Sequence, residues 1–229
     1  MRLDISLLFE NPSKSQKAIL VIEPLAPLSL VSTMPGSYYK SQSIPTKYNL
    51  CGMFENVLGW HIGNGERKAI LKKMGQVYKK VYKMNEFEKF NSAVGYIPLL
   101  GHLFDIEKPP IPVLKVRYDD LWKQQMKAGD NRHVKGSPNL SWRVIKIKST
   151  IDTSDNKELD NLLKKYPGDF PMYYTSPTPR EFIVVKEDYQ YKLALSASLF
   201  SNLQKALEEN NLAYLGTNEG WVNLSLKPI

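Results

Sequence analysis

One cysteine, three histidines and no long apolar run mark what this 229-residue chain lacks. A lone Cys51 cannot form an internal disulfide, which argues against a disulfide-built secreted domain. His61, His102 and His133 lie far from one another and from Cys51, so a zinc site of ordinary ligand spacing is not expected. No stretch of about 18 apolar residues exists, and no membrane span is expected. Met1-Arg2-Leu3-Asp4 has no basic region leading into an apolar run, so no signal peptide is read and the expected location is the cytoplasm. A Walker loop, a dinucleotide fingerprint and a G-x-S-x-G elbow are all missing. Gly63-Asn64-Gly65 reads instead as a turn between helices.

What is there suits a globular domain. Apolar residues make up 42% and charged residues 24%, enough to bury a core without a disulfide or metal staple. Lys plus Arg number 31 against 23 Asp plus Glu, a net charge of +8. That excess favours an anionic partner, and it also helps solubility. The excess is concentrated. Residues 66–90 carry +5 and residues 115–148 carry +6, which leaves −3 for everything else.

Strands are expected over Leu3–Leu8, from the alternation of Leu3, Ile5 and Leu7, and over Ala18–Ile22. A polar loop follows at residues 33–46. Thr46 then reads as the cap of a helix that buries Leu50, Met53, Phe54, Val57 and Leu58 and ends at Gly59. Ile70, Leu71, Met74, Val77, Tyr78 and Val81 make one helical stripe, with Lys68, Lys72, Lys79 and Lys83 away from it. Residues 95–114, rich in proline, read as a connection or an edge. In the basic segment 115–148, Val116–Trp122 and Trp142–Ile147 read as the two arms of a long hairpin, with turn formers between them. Glu158–Tyr166 reads as a helix, Arg180–Lys186 and Tyr189–Leu195 as strands. A helix capped by Ser196 or Ser198 runs to Glu209, and Ala213–Gly216 and Trp221–Leu226 are short closing strands. This order suggests an α+β domain built on an antiparallel sheet.

Few residues carry a chemical signature. Asp119-Asp120 and Glu208-Glu209 read as solvated faces. His61 reads as packing or capping, and His102 is uninformative. His133 lies between Arg132 and Lys135, and two readings stand. With Lys135 and Tyr39 it would supply the base, acid and cation that metal-free RNA cleavage needs. Otherwise it is one more contact in a binding loop. Cations interleaved with aromatics are the stronger pattern, because cations neutralise phosphates while flat rings stack on unpaired bases. They occur at Tyr38, Tyr39, Lys40 and Lys47, and at Arg117, Tyr118, Trp122, Lys123, Arg132, His133, Lys135, Trp142 and Arg143. The alternative, tryptophans in the core and lysines on the surface, is equally open on composition.

Pro45-Thr46-Lys47 and the helix from Gly52 to Gly59 resemble the CRISPR-associated Cas-five family of the RAMP superfamily. Ala213-Tyr214-Leu215-Gly216-Thr217-Asn218-Glu219 is similar to that family's C-terminal Tyr-Leu-Gly-x-Ser-Glu signature. The resemblance implies a ferredoxin-like, RRM-related core forming one domain over residues 1–229, with residues 115–148 as an inserted basic β-hairpin thumb. It implies a non-catalytic subunit of a type I Cascade surveillance complex that holds the five-prime handle of crRNA. The implied partners are crRNA, the backbone subunit and the large subunit, with target DNA near the protospacer-adjacent motif left open and no cofactor or metal. Residues carried over as RNA contacts are Tyr38, Tyr39, Lys40, Ser43, Thr46, Lys47, Arg132, His133, Lys135 and Arg143. One branch of the family cuts repeat RNA with a Tyr, a Lys and a His. Here His133 and Lys135 are not adjacent as in that branch, and repeat cleavage is the alternative reading.

Overall fold

In a computed structural model, the described residues are 4–31, 38–84, 96–126, 136–151, 156–166 and 168–229. Contacts divide the chain into two compact units. The first comprises residues 1–34, 40–118 and 182–229, and the second residues 35–39 and 119–181.

The first unit is an antiparallel sheet with helices packed on it, as the α+β reading expects. Its strands are β1 (Gln16–Pro24), β2 (Phe104–Lys108), β7 (Tyr189–Leu195), β8 (Leu212–Tyr214) and β9 (Trp221–Pro228), in the order β2-β7-β1-β9-β8. Residues two apart share a face of a strand. Ala18, Leu20 and Ile22, Tyr189, Tyr191, Leu193 and Leu195, and Val222, Leu224 and Leu226 therefore form one continuous buried layer. Helix α1 (Lys47–Val57) packs on β8, helix α5 (Ala197–Glu209) packs on β9, and the two helices touch each other. Leu50, Met53 and Phe54 of α1 and Leu199 and Leu203 of α5 complete the core. Helix α2 (Asn64–Val81) adds Met74 and Tyr78.

The helix caps follow from the sequence. Thr46 and Asn49 form a capping box at α1, and Ser196 accepts from Leu199 N at α5. Gly59 lies at φ 69°, the left-handed conformation that ends a helix cheaply only at glycine. Val81 departs from its expected stripe and is exposed. The proline-rich connection carries β2, an edge strand of the sheet.

Two expected strands are corrected. Over Leu3–Leu8 the described part is a 3-10 turn at Ser6–Phe9, which buries the adjacent Leu7 and Leu8 together. A strand would send neighbouring side chains to opposite faces. Trp142–Ile147, the second arm of the expected hairpin, is also not a strand. It lies in helix α3 (Trp142–Lys148), capped by Ser141 accepting from Val144 N. The first arm is a strand, β3 (Leu114–Asp120), but it pairs with β6 (Arg180–Val185) instead of residues 142–147.

The second unit has a small core of Met126, Val144, Ile145 and Tyr174. Strand β4 (Lys123–Gln125) pairs antiparallel with β5 (Tyr173–Thr175), and α4 spans Asn156–Lys165, near the expected Glu158–Tyr166. Lys148 is fully buried, and its ammonium donates to Met126 O at 2.8 Å.

Candidate nucleic-acid interface

Helix α1 in the first unit has one face against the sheet and another bordering a cleft of about 640 Å³. Tyr48, Gly52 and Asn56 of α1, Trp60, Tyr96, Tyr214 at the end of β8, and Gly216, Thr217 and Asn218 after it are among its walls. Asn56 Oδ1 accepts from Tyr214 N at 3.2 Å, joining α1 to β8 across 158 residues of sequence. Gly216 lets the turn after β8 lie directly against the Ser29–Leu30 backbone. Its φ is 82°, and a Cβ there would collide with the Ser29 carbonyl.

The cleft floor is a buried ion pair. Arg67 Nη1 donates to Glu55 Oε2 at 2.6 Å and to Ile97 O at 2.9 Å, and its Nε donates to Ile62 O at 2.9 Å. Glu55 Oε1 accepts from Leu99 N at 2.8 Å. Burial raises the Glu55 pKa, and the Arg67 charge opposes that rise. The guanidinium carbon lies 4.7 Å from the centroid of the Tyr96 ring, which meets Tyr48 edge-on at 5.1 Å. The Tyr96 hydroxyl faces the Glu55 carboxylate, and the Thr217 hydroxyl is buried without a hydrogen-bond partner among the described residues. The cleft thus offers flat apolar walls and a charge already balanced from within. Such a site suits a neutral heterocycle, such as an unpaired base, better than a phosphate.

The expected contact residues of the first unit flank the start of α1. Lys40 is exposed. Ser43 Oγ accepts from Arg117 Nη2 at 2.8 Å, and Arg117 Nη1 donates to Ser41 O at 3.2 Å. The loop is therefore anchored through a residue of β3. The Thr46 hydroxyl accepts from Asn49 N and donates to Asn49 Oδ1, so it serves the helix cap. Lys47 pairs with Asp105 at 3.1 Å, and Asp105 also binds Lys14 at 2.6 Å.

In the second unit, Tyr38 donates to Asp119 Oδ1 at 2.5 Å, and this bond above all pushes its pKa up to about 12. Tyr39 is 7% exposed, edge-on to Trp122 at 5.7 Å. The Arg180 guanidinium lies over both rings, at 5.4 Å from Tyr39 and 4.1 Å from Trp122. Trp122 donates to Thr178 O at 3.0 Å and is a packing residue, whereas Trp142 is exposed. Arg143 is exposed and 3.3 Å from Asp169. Arg132, His133 and Lys135 lie outside the described residues.

Glu55, Arg67, Tyr96 and Thr217 have no place in the sequence-level site. Two of them leave a signal. Arg67 falls on the stripe of Ile70, Leu71, Met74 and Tyr78, and Glu55 follows the buried Met53 and Phe54. A charge on an apolar face requires an opposite charge beside it. Each of these residues therefore announces the other.

Among the described residues no cluster of three or more His, Cys, Asp or Glu side chains could hold a metal ion. No helix among them is long and apolar enough to cross a membrane. A search of curated proteins finds no match. Among solved structures, the chain is similar to one in a cryo-EM structure of the Type III-B Cmr-beta bound to cognate target RNA and AMPPnP. The identity is 12% and the TM-score 0.33, over 90% of this chain and 62% of that one, so the chain spans less than two thirds of the length it matches. It is also similar to Cmr4 in a crystal structure of oligomeric Cmr4 from Pyrococcus furiosus, at 11% identity and TM-score 0.28, covering 94% of this chain and 99% of that one. A family model described as CRISPR-associated protein Cas5p matches residues 3–226, nearly the whole chain, with both resemblance segments inside it. The chain belongs to the CRISPR-associated protein Cas5p family.

Proposed function

We propose that this protein is a non-catalytic RNA-binding subunit of a type I CRISPR surveillance complex, holding the five-prime handle of crRNA. One observation carries the reading. The two segments that resemble the Cas-five family, far apart in sequence, come together at one aromatic-walled cleft whose charge is balanced from within. An unpaired base enters that cleft, and Lys40, Arg132 and Lys135 meet phosphates. The partners are the backbone and large subunits of the complex. The non-catalytic reading is supported by Tyr39, whose ring is packed under Arg180 against Trp122 and is poorly placed to meet a ribose.

The test is to co-express the chain with the proteins encoded beside it and sequence the RNA that purifies with it. The expected product is a short, uncut fragment of the CRISPR repeat. Charge reversal at Lys40, Arg132 and Lys135 is expected to weaken binding of that fragment at least tenfold while the thermal melt is unchanged. Retained affinity would remove the proposal, and cleavage of repeat RNA in chelator would replace it with the nuclease reading.

A further inference from the structure

In the second unit, residues 136–143 and 169–177 run side by side in opposite directions. Three contacts fix the register. A Cβ on Gly136 would lie 2.9 Å from Pro177 Cβ, Thr175 N donates to Asn139 Oδ1 at 2.7 Å, and Arg143 pairs with Asp169 at 3.3 Å. Between these ties the two segments carry the unit's largest exposed apolar groups. Trp142 is 68% exposed, Met172 79% and Tyr173 47%, and Pro171 is exposed beside them. Among the described residues the core cluster of this unit is Met126, Val144, Ile145 and Tyr174, with Leu140, Leu163 and Phe170 partly buried against it. The unit therefore leaves large apolar groups outside a small core, on a frame tied at three points.

We propose that this patch docks a protein partner whose contacting surface presents an apolar side chain among carboxylates. Tryptophan, tyrosine, methionine and arginine are the residues enriched at protein interface cores. The most exposed member here is a flexible thioether, which fits a protein side chain and offers no flat face to a base. The rim selects the charge of the partner. Arg143, Lys146 and Lys123 are exposed around the patch, and Asp169 is tied into it through Arg143. Lys123 reaches Thr175 Oγ1 at 3.2 Å, two residues from Tyr173. The inference rests on the chain being a subunit of a multi-protein complex.

The experiment uses the full chain, tagged and co-expressed with the other protein subunits encoded at its CRISPR locus. Trp142→Ser with Met172→Glu is expected to cut recovery of one protein subunit at least tenfold, leaving the thermal melt unchanged. Trp142→Phe with Met172→Leu is expected to keep that subunit. Unchanged composition in the Ser/Glu variant, or recovery of no subunit by the wild-type chain, would overturn the inference. So would self-association of the isolated chain that the Ser/Glu variant loses, which would make a second copy the occupant. Quenching of Trp142 fluorescence by a labelled single-stranded RNA, absent in Trp142→Phe, would assign the patch to nucleic acid instead. RNA recovered in the same preparations is read separately. A complete wild-type complex without RNA refutes the proposed function and leaves the patch standing.

Discussion

His102 shows how one buried residue couples stability to pH. Its Nε2 lies 2.7 Å from the Tyr78 hydroxyl, which itself donates to Leu8 O at 2.7 Å. Burial, reinforced by Lys14 and Lys47, lowers its pKa from 6.5 to about 4. The folded state thus holds a neutral ring that the unfolded chain would protonate below pH 6.5. Stability is full above that pH and falls as the pH drops toward 4, by roughly 3 kcal/mol in total. Denaturation followed at several pH values is expected to show that slope, and His102→Gln is expected to remove it. At Gly216 the constraint is steric. Gly216→Ala adds a Cβ in a left-handed backbone against the Ser29 carbonyl, so a loss of about 2–4 kcal/mol in urea denaturation is expected.

At the scale of elements, α1 both packs the core and borders the cleft, and Gly52 separates the two roles. A Cβ there would sit 3.7 Å from the Tyr96 hydroxyl, in ordinary contact, so a longer side chain must extend into the cleft. Leucine is also the better helix former, by roughly 0.8 kcal/mol. Gly52→Leu is expected to preserve or raise the melting temperature while weakening repeat-RNA binding about tenfold in a fluorescence anisotropy titration. Equal affinity would place the base elsewhere. Asn56 has a separate task at the sheet edge. Asn56 and Asn210 accept from the N–H groups of Tyr214 and Leu212, occupying both donors on the outer edge of β8. Asn56→Ala is expected to cost about 1–2 kcal/mol of stability and to promote aggregation, read by light scattering.

The elements legible in the sequence were those whose local signals agree. At α1 the cap, the stripe and the glycine stop all point to one helix, and at β7 the alternation matches the burial. Trp142–Lys148 misleads because its β-branched residues alternate with cations. The buried set is Val144, Ile145 and Lys148, a helical i, i+1, i+4 pattern hidden by a lysine on the inner face. Leu3–Leu8 misleads in the opposite way, since its alternation is too short to dictate a partner strand. The cleft was half legible. Its two walls carry the family segments, while the Glu55–Arg67 floor shows in the sequence only as two charges on apolar helix faces, whose pairing is a tertiary contact.

Taken over the whole molecule, the charge of +8 does not say where an anion binds. Helix α2 exposes Lys68, Lys72, Lys79 and Lys80, so residues 66–90 rival the basic segment 115–148 as a source of positive field. Salt dependence separates a local contact from a diffuse field. Each phosphate neutralised on a single strand contributes roughly −0.7 to the slope of log affinity against log salt. If Lys40, Arg132 and Lys135 each meet a phosphate, the expected slope is about −2, a loss of roughly 20-fold between 50 and 200 mM salt. Replacing any one of the three by glutamine is expected to flatten the slope by about 0.7. Lys68→Gln with Lys79→Gln removes twice that charge from α2 and is expected to leave the slope as it was. If the α2 variant flattens the slope as much as the site variants do, the RNA is reading net charge, and the interface must be sought along that helix.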